Sequence, residues 1–163
     1  MKIINKIIPI VLLMCIIFAA LYFIPLPRNI DMFLPCVLWD LDDPTTGEAE
    51  GIEIKGKYYD YLIKTDKFKG DIRMSEVNLY EEEQRMEMFV FQVGGIKTGS
   101  INYFSQTYNR FVWIGSVYMP GMFDKIFIDL YVDEKSTLND KVISAPATTI
   151  EEAVAIAEEM NFA

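Results

Sequence analysis

The chain has no histidine. That removes the usual general base near neutral pH, the commonest metal ligand and the usual pH switch. Ser-His-Asp and Cys-His nucleophile systems are excluded, as are zinc sites that need an imidazole. Chemistry by carboxylate, lysine or tyrosine stays open. Cysteine is scarce: Cys15 lies inside an apolar run and Cys36 outside it. An apolar helix would hold the two beyond disulfide reach, so the fold must stand on its core. Cys36 reads as a small buried apolar residue, or else as a thiol for an intermolecular bond. Internal repeats and low-complexity tracts are also missing. Positive charge is in deficit, with 15 Lys and Arg against 24 Asp and Glu and a formal charge of −9. The first thirty residues carry Lys2, Lys6 and Arg28 and no acid, so the remainder holds −12. A field of that sign opposes phosphate backbones and argues against nucleic acid as a partner.

What the chain does have is an uncharged apolar stretch, Ile7–Ile24. As a helix it would be about 27 Å long, close to the hydrocarbon thickness of a bilayer. Pro9 falls in the first turn, where its missing N–H breaks no bond. Pro25 and Pro27 stop the helix past its apolar end. Tyr22 and Phe23 stand where interfacial aromatics belong, and Lys2 and Lys6 lead the run. These features predict a single-pass signal anchor in the cell membrane, with residues 1–6 in the cytoplasm, 7–24 in the bilayer, 25–35 as a short tether and 36–163 as a domain outside. The main rival is secretion after cleavage, for which the small pair Ala19-Ala20 is poorly placed because Phe18 precedes it. A lipoprotein modified at Cys15 is disfavoured by Met14 before it. A buried core helix would need cover on every face.

The outer region reads as mainly β. Val37, Trp39 and Leu41 alternate with Leu38, Asp40 and Asp42, and the turn Asp42–Gly47 follows. Ile52, Ile54 and Tyr58 form a second half-buried strand. Ile72 and Met74 begin a third, with a bulge expected near Ser75-Glu76. Met86–Val93 is apolar on both faces and reads as a central strand. Residues 101–106, 111–119 and 126–132 give three more, and Val142-Ile143 a last short one. Thr149 is a helix N-cap with Glu152 three residues on. Ile150, Ala153, Val154, Ala157 and Met160 then make one apolar stripe. Glu158 and Glu159 oppose the helix dipole, so tertiary packing must hold this helix. The fold expected is an N-terminal transmembrane helix plus an α+β, mainly-β domain: an antiparallel meander sheet or small barrel with one C-terminal helix packed on it.

Three clusters could carry function. The acidic turn Asp40–Glu50 gathers oxygen ligands, but Pro44 and Thr45 break the helix-loop-helix calcium pattern, and a solvated hairpin turn explains it. No metal or cofactor is expected. Lys55, Lys57, Lys64, Lys67, Lys69 and Arg73 could align as a positive patch for an anionic polymer or peptide; the plainer reading is outward lysines that discourage edge pairing. Tyr103, Phe104, Tyr108, Phe111, Trp113 and Tyr118 crowd one hairpin. Most are explained as core by alternation, leaving Tyr108 and Arg110 in the turn as binding candidates beside Lys55 and Lys57. Carboxylate pairs are numerous, but no spacing singles one out for catalysis. The function expected is a membrane-anchored, non-catalytic binding or assembly module of the bacterial cell envelope. It would contact the lipid bilayer through Ile7–Ile24 and an envelope protein or wall polymer through its outer domain. The alternatives are a carboxylate-based hydrolase of an envelope polymer and a barrel carrying a small apolar ligand.

Overall fold

Period-two alternation beyond residue 25 becomes eight antiparallel strands, and the computed structural model describes residues 4–61, 65–74, 86–93, 95–105, 109–131 and 141–162. Helix α1 (Ile4–Phe23) is followed by β1 (Leu26–Asp40), β2 (Asp43–Asp60), β3 (Asp66–Met74), β4 (Met86–Val93), β5 (Ile96–Ser105), β6 (Arg110–Met119), β7 (Ile126–Leu130), β8 (Lys141–Ala145) and α2 (Ile150–Glu159). Each strand pairs with the next, and β8 returns to β1, closing a barrel in sequence order. The mainly-β domain with a C-terminal helix is therefore as the sequence indicates. Two expectations shift. Residues 25–35, read as a tether, form most of the first part of β1. The turn read at Asp42–Gly47 is tighter, so that β2 already starts at Asp43. The bulge expected at Ser75-Glu76 lies outside the described residues; register shifts occur instead at Trp39/Asp40 and Ile101/Asn102.

One face of every strand fills the barrel. Ile52, Ile54, Phe68, Ile72, Met88, Val117 and Ile128 are each at most 1% exposed and belong to one cluster. The β6–β7 connection adds Phe123, which is fully buried although its φ is +62°. Its ring packs edge-on against Phe68 at 5.1 Å and Tyr58 at 6.1 Å. Burial of that aromatic surface offsets a backbone conformation that bulky residues seldom adopt.

A second, smaller core lies outside the barrel wall. Val37, Trp39, Phe127 and Val142 face outward from β1, β7 and β8 and are covered by Ala153, Ile156, Ala157 and Met160. Trp39 donates its Nε1–H to Ser144 Oγ at 3.0 Å, so the buried indole keeps a partner. Gly47 lets the helix start approach closely, since a Cβ there would lie 2.7 Å from Val37 Cγ1 and 3.1 Å from Ile150 Cδ1. Thr149 Oγ1 accepts from Glu152 N–H at 3.4 Å. The Glu152 carboxylate reaches back one residue further than a capping box requires, to Thr148 N at 2.8 Å and Thr148 Oγ1 at 2.9 Å. Those bonds hold its carboxyl below the usual carboxylate range. At the far end Glu159 pairs with Lys125, the tertiary contact that its unfavourable dipole position demanded.

The N-terminal helix requires a correction. Among the described residues, no helix is long and apolar enough to cross a membrane. The transmembrane anchor over Ile7–Ile24, the single-pass placement in the cell membrane and the bilayer contact built on it are therefore not supported. The large side chains from Ile7 to Phe18 are 50–66% exposed.

Candidate functional site

The outer face of β4, β5 and β6 departs most from what a covered strand should show. Phe89, Phe91, Phe111, Trp113 and Tyr131 are 46–60% exposed. Alternation had pointed to core for most of the aromatics near residues 103–118. The structure corrects that for Phe111 and Trp113, because Val112 and Ile114 share their strand and Ile114 takes the inner side. Tyr118 is half-buried, with its ring 4.4 Å from that of Phe162 beyond α2.

Strand register orders this face. Phe89 lies opposite Ser100, which lies opposite Ser116; Phe91 lies opposite Thr98, and Asn102 lies opposite Trp113. Because paired strands are about 4.8 Å apart, the β4 and β6 side chains flank β5 at roughly 10 Å from each other. The result is a trough. Its floor is Thr98, Ser100 and Asn102; Phe89 and Phe91 flank it from β4, and Trp113, Ser116 and Tyr118 flank it from β6, with Trp113 one step along from Phe89 rather than directly across from it. Tyr131 stacks on Trp113 with ring centroids 5.0 Å apart and planes inclined by 24°, which covers one face of the indole. Asn102 donates Nδ2–H to Ser100 Oγ at 2.9 Å and to the Ser100 carbonyl at 3.1 Å, presetting the floor. Lys67 holds its ammonium 4.7 Å from the Phe89 ring centre at the edge of the trough. Chemically this is a groove between aromatic side chains with hydroxyl and amide groups along its floor.

Of the four residues singled out from sequence, the three that are described do not come together. Lys55 and Lys57 are exposed on β2, Arg110 is exposed at the start of β6, and three strands separate the two sites in one direction around the barrel. Tyr108 lies outside the described residues. The basic face on β2 and β3 is interleaved with acids. Lys55 meets Glu53 at 2.6 Å and Asp31 at 3.9 Å, and Arg73 meets Asp71 at 3.9 Å. The Glu53–Lys55 contact lowers the one pKa and raises the other. A shallow cleft of about 140 Å³ between Glu53, Lys55, Asp71 and Arg73 is therefore lined by both signs. Another, of about 220 Å³, sets Asp42 and Asp129 beside Phe127, Val142 and Phe162. At the acidic turn, Asp40 Oδ1 accepts from Asp42 N–H at 3.0 Å, and Asp43 Oδ1 accepts from Thr45 Oγ1 at 2.5 Å. The side-chain and then the backbone hydrogen bond from Thr45 hold the Asp43 carboxyl below its ordinary value. Among the described residues no group of three metal-binding side chains occurs.

A polar trio at one end of the barrel went unforeseen. Tyr58 of β2 donates its hydroxyl to Asp66 Oδ2 of β3 at 2.6 Å. Lys97 of β5 donates to the Tyr58 hydroxyl at 2.8 Å and to Asp66 Oδ2 at 3.1 Å. The Tyr61 amide donates to Asp66 Oδ1 at 2.9 Å. Burial first, then the hydrogen bond to Asp66 and its charge, push the Tyr58 phenol far above its usual range. Each group is answered by the others, so the trio ties β2 and β5 to β3 rather than presenting a reactive atom. Its sequence signal was phase: Asp66 shares the inward phase of Phe68 and Ile72, and Lys97 that of Ile101.

No protein-family model, no curated protein and no solved structure matches this chain, so its function has to be read from its own surfaces.

Proposed function

We propose that the protein is a non-catalytic binding module that holds a glycan chain in the trough on β4, β5 and β6. The observation that carries this is the exposure of Phe89, Phe91 and Trp113 around a floor of Thr98, Ser100 and Asn102. Leaving large rings half in water forgoes the burial that normally stabilises them, by about 25 cal/mol for each Å². Sugars present C–H faces that stack on aromatic rings and hydroxyls that need donors and acceptors beside those rings. The trough supplies both. A net charge of −12 outside the first thirty residues opposes a strongly anionic polymer, so the ligand class is a neutral glycan.

The test uses the two tryptophans. Trp39 is 1% exposed and Trp113 is 46% exposed, so quencher-accessible emission comes from Trp113. Neutral chito-oligosaccharides and β-glucan oligomers, titrated into the full chain, should blue-shift this emission and protect it from acrylamide. Measured by calorimetry, because Trp113→Ala also removes the accessible fluorophore, Trp113→Ala and Phe89→Ala should each weaken binding by about tenfold or more, the usual range for losing an aromatic anchor. Silence from both oligomer series, with unchanged quenching, would overturn the reading.

A further inference from the structure

β1 is paired along its whole length with β2, from Leu26↔Asp60 to Asp40↔Asp43, but with β8 only from Val37 to Asp40. Among the described residues, no strand lies against the other edge of β1 between Leu26 and Leu34. The backbone phase of that edge is fixed by one bond: Ala147 N–H donates to the Pro35 carbonyl at 3.0 Å on the β8 side. Backbone groups of alternate residues point to opposite edges. Asn29, Asp31 and Phe33 therefore direct both N–H and C=O to the open edge, and Pro27 directs a carbonyl alone. Side chains tell the same story. Cys36 and Leu38, close to or within the stretch where β8 covers β1, are 1% and 6% exposed. Ile30, Met32 and Leu34 continue the same inward row, yet remain only partly buried. Both the ladder and the core cover are incomplete over one stretch.

We infer that this edge pairs antiparallel with the same edge of a second copy of the chain, with Ile30 on the two-fold axis. In that register Asn29 lies opposite Asp31 of the second copy, and Phe33 opposite Pro27. Asn29 and Asp31 exchange two bonds at each of two symmetric positions, and Phe33 N–H donates to the Pro27 carbonyl on each side, about six bonds in all. The Asn29 amide meets an Asp31 carboxylate, and the Arg28 stem crosses Met32. The register centred on Asp31 sets two carboxylates face to face, which is destabilising. The one centred on Met32 sets Asn29 against Pro35, which has no N–H and whose carbonyl is already engaged. Self-complementarity at one register is what an isologous contact requires. This edge lies on β1, away from the trough, so the two proposals stand or fall separately.

The test is sedimentation of the full chain over a concentration series, with site-resolved amide exchange. At high concentration the mass should be that of two chains. The amides of Asn29, Asp31 and Phe33 should then exchange roughly tenfold or more slowly than at high dilution, as new ladder bonds demand. Asp31→Pro and Asn29→Pro each delete an edge N–H that bonds no described residue of its own chain. Each should give a one-chain mass with the melting temperature of the diluted wild type. A single-chain mass at every concentration overturns the inference, as do edge amides equally labile at both extremes. So does association that survives Asp31→Pro, which would assign it to another surface such as α1.

Discussion

Replacing Lys97 with methionine tests the polar trio at the barrel end. The substitution keeps most of the aliphatic stem and removes the ammonium. Asp66 then retains the Tyr58 hydroxyl and the Tyr61 amide but has no counter-charge. Breaking a buried pair from one side costs about 3–5 kcal/mol. The side chains of Lys97 and Asp66 are 21% and 14% exposed, so some solvation remains, and about 2–3 kcal/mol is expected. Asp66→Asn removes the charge and leaves an amide able to bond Tyr58 and Tyr61; it should cost about 1–2 kcal/mol. In the double variant neither charge is left alone, so its loss should fall short of the sum by about 1–2 kcal/mol. Urea unfolding followed by Trp39 emission and by circular dichroism measures all four corners of the cycle. A Lys97→Met loss below about 0.5 kcal/mol, or additivity within that margin, would refute the claim that the trio ties β2, β3 and β5 together.

Gly56 and Gly70 lie opposite each other on β2 and β3. A Cβ at Gly70 would sit 2.1 Å from the Lys55 carbonyl oxygen, so Gly70→Ala should cost about 3 kcal/mol or prevent folding, as a thermal melt will show. Tyr58 is held protonated in the fold, with its pKa raised above that of the unfolded chain. Its contribution is complete below about pH 10 and is lost above it at about 1.4 kcal/mol per pH unit, a slope that Tyr58→Phe should remove from the alkaline unfolding profile. Cys36 is buried, and burial first, then the Glu50 charge, push its thiol up to about 12, whereas Cys15 is exposed. A thiol reagent at pH 8 should modify one cysteine rapidly and the second only after denaturation. By the same sign, the Cys36 contribution to stability is present below its ordinary value of 9.0 and declines as pH rises towards 12.

Where one face of a strand is apolar and the other polar, local pattern decided structure. Ile52, Ile54 and Tyr58 against Glu53, Lys55 and Lys57 gave both the strand and its inward side, and Thr149 with Glu152 gave the start of α2. Where both faces are apolar, alternation fixes phase but not direction. Phe111 and Trp113 compete with Val112 and Ile114, and only the packed barrel shows that the larger pair faces water. The first two thirds of β1 were hidden by Pro25, Pro27 and Pro35, which favour extended backbone as readily in a tether as on a sheet edge. The trio of Tyr58, Asp66 and Lys97 was invisible for another reason. Each is an ordinary residue on its own strand, and register across three strands is a property of the whole sheet.

Of the eight seams in the barrel, seven join strands that follow one another in sequence; the eighth joins β8 to β1. The seven can grow hairpin by hairpin, each closing a modest loop. The eighth brings Trp39 to Ser144 across 105 residues. It cannot form until Lys141–Ala145 has been synthesised, after the other seven strands. In a nascent chain short of that point, Val37 and Trp39 lack the strand and helix that bury them. Barrel closure and docking of α2 are thereby coupled into one late event, and Trp39, lying in that seam, reports when it has happened.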